Sequence, residues 1–397
     1  MRKALCLLSC FALLGLVGCG SQGSSSESSA SEINRITVFL DCGAGHFLDG
    51  ENTKAISIFA GQTLKEIETP VYPTYKFIGW KDSSGKILDL NTFEIDFSLT
   101  IYAAWEKDAE WLSNHGAEPK RVEKGRMEYG LYPQTVVDDE KTIGKLSSLS
   151  PDAEFNRYYF LDGEFYCRYE AMPCEDGLGQ FSNGNPIVSG KAYYFKVEPV
   201  TWEALDEEGL RWYAAMILDA NTFSGQVDRA TIDYGGGNYH SRYKADFDPG
   251  EVYANNYERS DLRYLINQEF LETLLYFSKD ELSDVNVDNS AATLENASAA
   301  SFVCLDTIDQ AFPLSYSEMA ALARENRQSK GTDFARARGL YVDDVSIGYS
   351  DAWTRSPTGY SGSGIWMTAP DGTLIQGQAY DEAIGIRPAI ELKSALS

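Results

Sequence analysis

Only three histidines stand beside an excess of carboxylates in this 397-residue chain, which bounds the chemistry it can support. A Ser-His-Asp or Cys-His nucleophile needs an imidazole poised near neutral pH. His46 falls in a strand-rich N-terminal segment and His115 in a charged connector, leaving His240, in the run YGGGNYHSRY, as the sole candidate base. That run is rich in Gly and Tyr and reads as a loop, and no partner for the imidazole is identifiable, so a solvated side chain is the expected role. No GxSxG, HExxH or glycine-rich phosphate loop is present. Paired carboxylates of the glycosidase kind are not resolvable, because 59 acidic residues supply too many pairs. No catalytic residue and no cofactor is assigned from the sequence.

Two constellations invite a binding reading. Asp284, Asn286, Asp288, Ser290 and Glu295 fall at positions 1, 3, 5, 7 and 12 of a calcium-loop spacing. Position 6 wants glycine for its sharp turn and holds Asn289, while Val285 and Val287 alternate with the polar residues as in a strand. The expectation is therefore a solvated strand and turn. Arg263, Arg355 and Arg387 have the chemistry of carboxylate or phosphate clamps. Arg355 and Arg387 lie close to Pro357 and Pro388 among apolar residues, a setting in which arginine satisfies loop carbonyls or a buried carboxylate. Trp353, Arg355 and Arg387 are accordingly read as supports of the C-terminal loops, with a ligand clamp as the competing role.

Location constrains these readings. Arg2 and Lys3 precede an apolar stretch from Ala4 to Val17, long enough for a signal peptide yet short of the ~20 residues that a membrane-spanning helix needs. Leu16, Val17, Gly18 and Cys19 resemble the lipobox of bacterial lipoproteins. The resemblance implies a signal peptide over residues 1–18, acylation of the Cys19 thiol, and an extracytoplasmic protein held at the cell membrane by its lipid. Cys6 and Cys10 leave with the signal, and Cys42, Cys167, Cys174 and Cys304 remain, without metal-binding CxxC spacing. Outside the cytoplasm disulfides are permitted. Cys167 and Cys174 are the only pair close enough in sequence to suggest one, and the sequence leaves bridged and free states open. Cys42 and Cys304 read as small buried hydrophobes. With 34 basic against 59 acidic residues and a formal charge of −25, the chain repels nucleic acid and anionic headgroups. Membrane contact is thus expected through lipid and not through a basic face.

The Ser-, Gly- and Glu-rich stretch over residues 19–34 cannot bury apolar surface, which predicts a flexible tether. From Arg35, Ile36, Val38 and Leu40 alternate with Thr37, Phe39 and Asp41 as in a half-buried strand. Lys54–Phe59, Tyr75–Trp80 and Leu99–Trp105 continue the strand pattern, and Trp80 and Trp105 are expected in the core. With ITVFLD, AGQTL, YKFIGW and LTIYAAW in order, residues 35–107 resemble the internalin B B-repeat, or Listeria–Bacteroides repeat, of bacterial surface proteins. That family usually has an Asn-Gly-Gly turn after its first strand, where this chain has Cys42, Gly43, Ala44 and Gly45. The resemblance implies a small β-grasp-like module.

Residues 108–125 are charged and read as a connector or short exposed helix. In residues 126–396, Ser260 can cap a helix carrying Leu262, Leu265, Ile266, Leu271 and Leu274 on helical spacing. Ser315 with Glu318 forms a capping-box signature, Thr332–Arg338 a short helix, and Ile365–Thr368 with Thr373–Gln376 a hairpin. Ser298–Leu305 reads as a strand. The islands YGLYPQ, PVTWEAL, ILDANTF, YERSDLRYLINQEF, FSKDEL, PLSYSEM, WTRSP and GIRPAIEL resemble an uncharacterised domain of bacterial surface proteins. A Trp-Arg loop, a hairpin and a closing Gly-Arg strand are similar to the C-type-lectin-like fold of formylglycine-generating enzymes, but the cysteine pair of that chemistry is missing. The expectation is a multidomain α+β protein: a β-grasp-like repeat followed by a larger mixed domain. Its expected role is binding or adhesion, with a surface glycan or protein as ligand and no nucleic acid. A surface hydrolase using acidic residues of the large domain is the alternative.

Overall fold

The computed structural model describes residues 34–152, 155–225, 231–233, 251–343 and 345–395. Cys19 with its flanking segments up to residue 33, and His240, lie outside the described residues. The described chain is a strand-rich mixture of α and β elements in several sheets.

Strand β1 (Arg35–Asp41) buries Ile36, Val38 and Leu40 and exposes Phe39, the face selection that its period-two pattern dictates. It pairs antiparallel with β2 (Thr53–Phe59) and parallel with β5 (Leu99–Lys107). Strand β3 (Tyr75–Lys81) joins β5 to the edge strand β4 (Ile87–Leu88), giving the order β2-β1-β5-β3-β4. Trp80 stacks on Phe47 in a core with Val38, Leu40 and Ile101. Trp105 packs against that core, and its Nε1–H donates to the Cys42 carbonyl at 3.1 Å. The turn after β1 needs its glycines. Gly43 has φ +60°, and a Cβ on Gly45 would fall 2.5 Å from the Trp105 ring.

Residues 108–125 carry a short helix and an edge strand. Asp108 caps helix α1 (Ala109–Asn114) by accepting from the Trp111 N–H at 3.0 Å. Trp111 lies edge-on to Phe160, Phe165 and Tyr276, and its Nε1–H donates to the Gly163 carbonyl at 2.6 Å. Strand β6 (Lys120–Glu123) then pairs with β7 (Arg126–Val136), so the connector ends inside the larger sheet. The N-terminal sheet meets this aromatic cluster where the Tyr276 hydroxyl donates to Thr74 Oγ1 at 3.1 Å and Tyr72 packs on Phe155.

After β7, Asp139 caps helix α2 (Glu140–Leu146). Strands β8 (Tyr159–Leu161), β9 (Glu164–Glu170), β10 (Ala192–Ala204) and β11 (Arg211–Ala214) follow. In the eight-stranded sheet Ala311–Phe312, Ala389–Glu391, β11, β10, β7 and β6 lie in that order, while β9 joins β10 to β8. A second sheet runs Asp219–Ala220, Gly385–Ile386, Ala352–Pro357, Gly364–Thr368, Leu374–Gln378. Every residue of Ala352–Pro357 and Gly364–Thr368 is buried. Trp202, Trp212, Phe312 and Trp353 belong to one apolar cluster spanning both sheets.

Ser260 does cap a helix, accepting from the Arg263 N–H at 3.1 Å. The helix begins as Asp261–Tyr264, widens to a π turn over Leu265–Phe270 and ends at Leu271–Thr273. Asn267 accompanies the widening: its Nδ2 donates to the Arg263 and Ala311 carbonyls, and its Oδ1 accepts from the Gln310 and Ala311 N–H groups. The expected strand at Ser298–Leu305 is instead a 3-10 helix over Ala297–Phe302. Alanine and serine dominate that run and the β-branched Val303 comes only after it, so its sequence carries little strand propensity.

Candidate functional site

Among the described residues a cleft of about 570 Å³ opens where β7 ends beside β10. Its floor and walls are Val136, Val137, Ile143, Val188, Tyr193 and Tyr194, and its charged groups are Asp138, Glu140, Arg168 and Lys191. Tyr194 lies edge-on to Tyr159, and Lys191 Nζ sits 4.8 Å from the Tyr193 ring centre. Beneath the cleft, the buried Asp333 carboxylate is satisfied by three donors. The Val136 N–H and the Ser182 hydroxyl, each at 3.1 Å, bond to Oδ2, and the Ser182 N–H bonds to Oδ1 at 2.6 Å. This carboxylate ties the end of β7 to the Phe181–Asn185 turn, so the cleft wall is fixed from behind. A mixed apolar, aromatic and charged concavity of this size suits a small or segmental ligand.

Of the arginines singled out in the sequence, Arg355 and Arg387 are buried and Arg263 is half-buried. Arg355 is 4% exposed and bonds to Glu318, to the Pro313 carbonyl at 2.9 Å and to the Asp288 carbonyl at 3.2 Å. Burial works to raise the Glu318 carboxyl, but Arg355, the Ser315 N–H and Arg211 outweigh it and hold the group at about 2. Glu318 also closes the capping box, accepting from the Ser315 N–H at 2.8 Å. Arg387, 2% exposed, lies over the Tyr213 ring at 3.9 Å, meets Glu203 at 3.2 Å and donates to the Ala214 and Asn326 carbonyls. Arg263 places Nε and a terminal nitrogen on Asp309 Oδ1 at 2.8 and 2.7 Å. The hydroxyls of Tyr257 and Thr307 complete the other carboxylate oxygen. Trp353 donates its Nε1–H to the Asn221 carbonyl at 2.8 Å and packs on Phe223. In this arrangement these side chains join core elements to one another.

The calcium-spaced residues are not gathered. Val285–Val287 pairs antiparallel with Thr307–Asp309, and the strand turns Asn286 outward between Val285 and Val287. Asp288 Oδ1 accepts from the Ser290 N–H, Glu295 binds its neighbour Asn296, and Asp284 is exposed. Among the described residues no group of three or more His, Cys, Asp or Glu side chains is placed to hold a metal ion. Cys42, Cys167, Cys174 and Cys304 are all free, so Cys167 and Cys174 are unbridged here. Burial pushes the thiols of Cys42, Cys167 and Cys304 up to about 12. Asp351 is raised to about 6, by burial first and then by Asp343 and Asp381, and it is not among the cleft's lining residues.

The cleft residues escaped the sequence reading because Asp138, Arg168 and Tyr194 come from three separate segments with no shared motif. The one local signal nearby was Asp139 with Thr142, a helix start.

Fold and site together define a strand-rich α+β protein with an open, mixed-charge cleft beside a core crossed by buried arginine pairs. Residues 238–394 match the family model described as "Domain of unknown function (DUF6273)". The match takes in Arg263, Arg355 and Arg387 and ends short of the cleft, whose lining lies between Val136 and Tyr194. No curated protein matches the chain.

Proposed function

We propose that the chain is a lipid-anchored extracytoplasmic binding protein, tethered by Cys19, whose recognition site is the cleft at the end of β7. A B-repeat-type, β-grasp-like module over residues 35–107 acts as spacer; the parallel pairing of β1 with β5 in mid-sheet supports that reading. Residues 126–396 form the recognition unit, read as C-type-lectin-like from its C-terminal hairpin and closing Gly-Arg strand. The observation that carries the proposal is a contrast. Arg355 and Arg387 are buried, Arg263 is half-buried, and all three are partnered, whereas the cleft offers exposed charged groups and Val188 beside the rings of Tyr193 and Tyr194. Asp351, a carboxyl raised to about 6, is not part of the cleft lining, which favours binding over hydrolysis there.

Two measurements test the proposal. Cys19→Ala should abolish fatty-acid labelling and release the protein from the membrane fraction; label persisting on the variant refutes the anchor. On an array of envelope glycans and peptides the protein should retain ligand without turnover. Val188→Asp, at a 52% exposed position on the cleft wall, should lose that retention. Release of new reducing ends from cell-wall polymer would instead favour the hydrolase.

A further inference from the structure

The charges of the cleft are sorted by strand. Val137, Tyr194 and Arg168 form one row across three adjacent chain segments. The Val137 N–H donates to the Tyr194 carbonyl at 2.8 Å, and Tyr194 stands directly opposite Arg168 in the antiparallel register of β10 and β9. Directly opposed residues project to the same face, so the Arg168 side chain leaves the sheet beside the Tyr194 ring. Asp138 and Glu140 follow Val137 at the exit of β7, two strand spacings away, which is roughly 10 Å at about 4.8 Å each. Lys191, just before β10, lies on the middle segment with its Nζ 4.8 Å from the Tyr193 ring centre. Asp138 accepts one hydrogen bond, from Asn183 Nδ2 at 3.2 Å. Among the described residues none of Asp138, Glu140, Arg168 and Lys191 takes part in an ion pair.

A simple anion or cation would meet both signs of charge in this cleft. A ligand with one charge at each end meets each at its own wall. An extended chain advances 3.3–3.6 Å per residue, so two or three residues span the separation. Long-range steering cannot assist an acid here, because the chain carries a net charge of −25; the carboxylate must be recognised at short range, as a guanidinium does.

We propose that the cleft binds short zwitterionic peptides. The ammonium lies toward Asp138 and Glu140, the terminal carboxylate lies on Arg168, and two or three residues rest over Tyr194, Ile143 and Val188. The proposal rests on the binding reading of this cleft and names its ligand class.

The test uses the full chain and four probes: a mixed tripeptide pool with free termini, the same pool N-acetylated, the same pool C-amidated, and the N-acetylglucosamine trimer. Saturation-transfer NMR with competition titration reads affinity. The free pool should bind, and capping either end should weaken it about tenfold. Arg168→Gln should remove the preference for the free carboxylate, and Glu140→Gln together with Asp138→Asn the preference for the free amine. All three substitutions are at exposed positions. Val188→Asp should abolish binding. Equal binding of capped and free pools overturns the proposal, as does peptide binding that survives Val188→Asp. Binding of the saccharide alone, lost in Val188→Asp, overturns the peptide class and leaves the cleft as a binding site. Binding of no probe overturns the peptide assignment as well.

Discussion

Replacing Glu318 by glutamine should isolate the buried ion pair from everything else that this side chain does. Glutamine can still accept from the Ser315 N–H, so the capping box survives and only the charge facing Arg355 and Arg211 is lost. Arg211 keeps Glu391 at 3.6 Å. Arg355 keeps the Pro313 and Asp288 carbonyls and can still donate to the glutamine oxygen at the Oε2 position, but that oxygen no longer carries charge, and the Arg355 Nε is already buried without a partner. Stripping the carboxylate from a buried guanidinium costs about 3–5 kcal/mol. At 2–4 °C per kcal/mol for a domain of about 150–250 residues, Tm should fall on the order of 10 °C. The pH dependence gives an independent handle. Glu318 sits at about 2 in the folded protein against an ordinary value of 4.5. Its contribution is therefore fully present above about pH 4.5 and disappears as pH falls through about 2, a change of about 3 kcal/mol. Urea melts of wild type and Glu318→Gln between pH 7 and pH 2.5 should show a stability gap that narrows as the pH drops, because glutamine does not titrate. A gap below about 0.5 kcal/mol at pH 7, or one that ignores pH, would refute the account. Glu318→Ala should cost about 1 kcal/mol more than Glu318→Gln, from the lost cap.

The other two expectations concern groups now seen to be internal. Arg387→Ala and Trp353→Ala should each lower Tm by several degrees, through an unsatisfied Glu203 with bare carbonyls and through a core cavity respectively. Unchanged melting with loss of ligand would make them part of a site. Thiol titration of the native protein at pH 8 should leave Cys42, Cys167 and Cys304 unmodified until denaturant is added, since each is held near 12 by burial. Rapid native modification at any of the three would contradict its placement.

What the sequence reveals and what it conceals follows from the range of the interactions. The period-two run Ile36, Val38, Leu40 and the pair Ser315 with Glu318 report contacts within a few residues, and both appear as the strand and capping box they signal. The π turn at Leu265–Phe270 is hidden because the partner that Asn267 reaches, Ala311, is 44 residues away. Arg355 illustrates the same limit at a functional level. Its neighbourhood, Trp353 to Pro357, predicts an arginine in need of acceptors, yet nothing local says that the acceptors are Glu318 and the Pro313 and Asp288 carbonyls. The Asp288 contact also bears on the calcium spacing. Its carbonyl is turned to the buried arginine while its side chain closes a turn at Ser290, so the backbone of that stretch is engaged by the core.

The cleft takes this further, since Val137, Tyr194 and Arg168 become a row only through the pairing of β7 with β10 and of β10 with β9. A one-residue slip between β9 and β10 would send Arg168 to the opposite face and put Cys167 beside Tyr194. The register is held by the apolar residues of the other face, where Cys167 and Phe195 stand opposite one another and pack toward the main core. The charge pattern of the cleft is thus specified by hydrophobic residues that do not line it. If the cleft binds peptide as proposed, Phe195→Ala should weaken retention of the free tripeptide pool although Phe195 does not line the cleft.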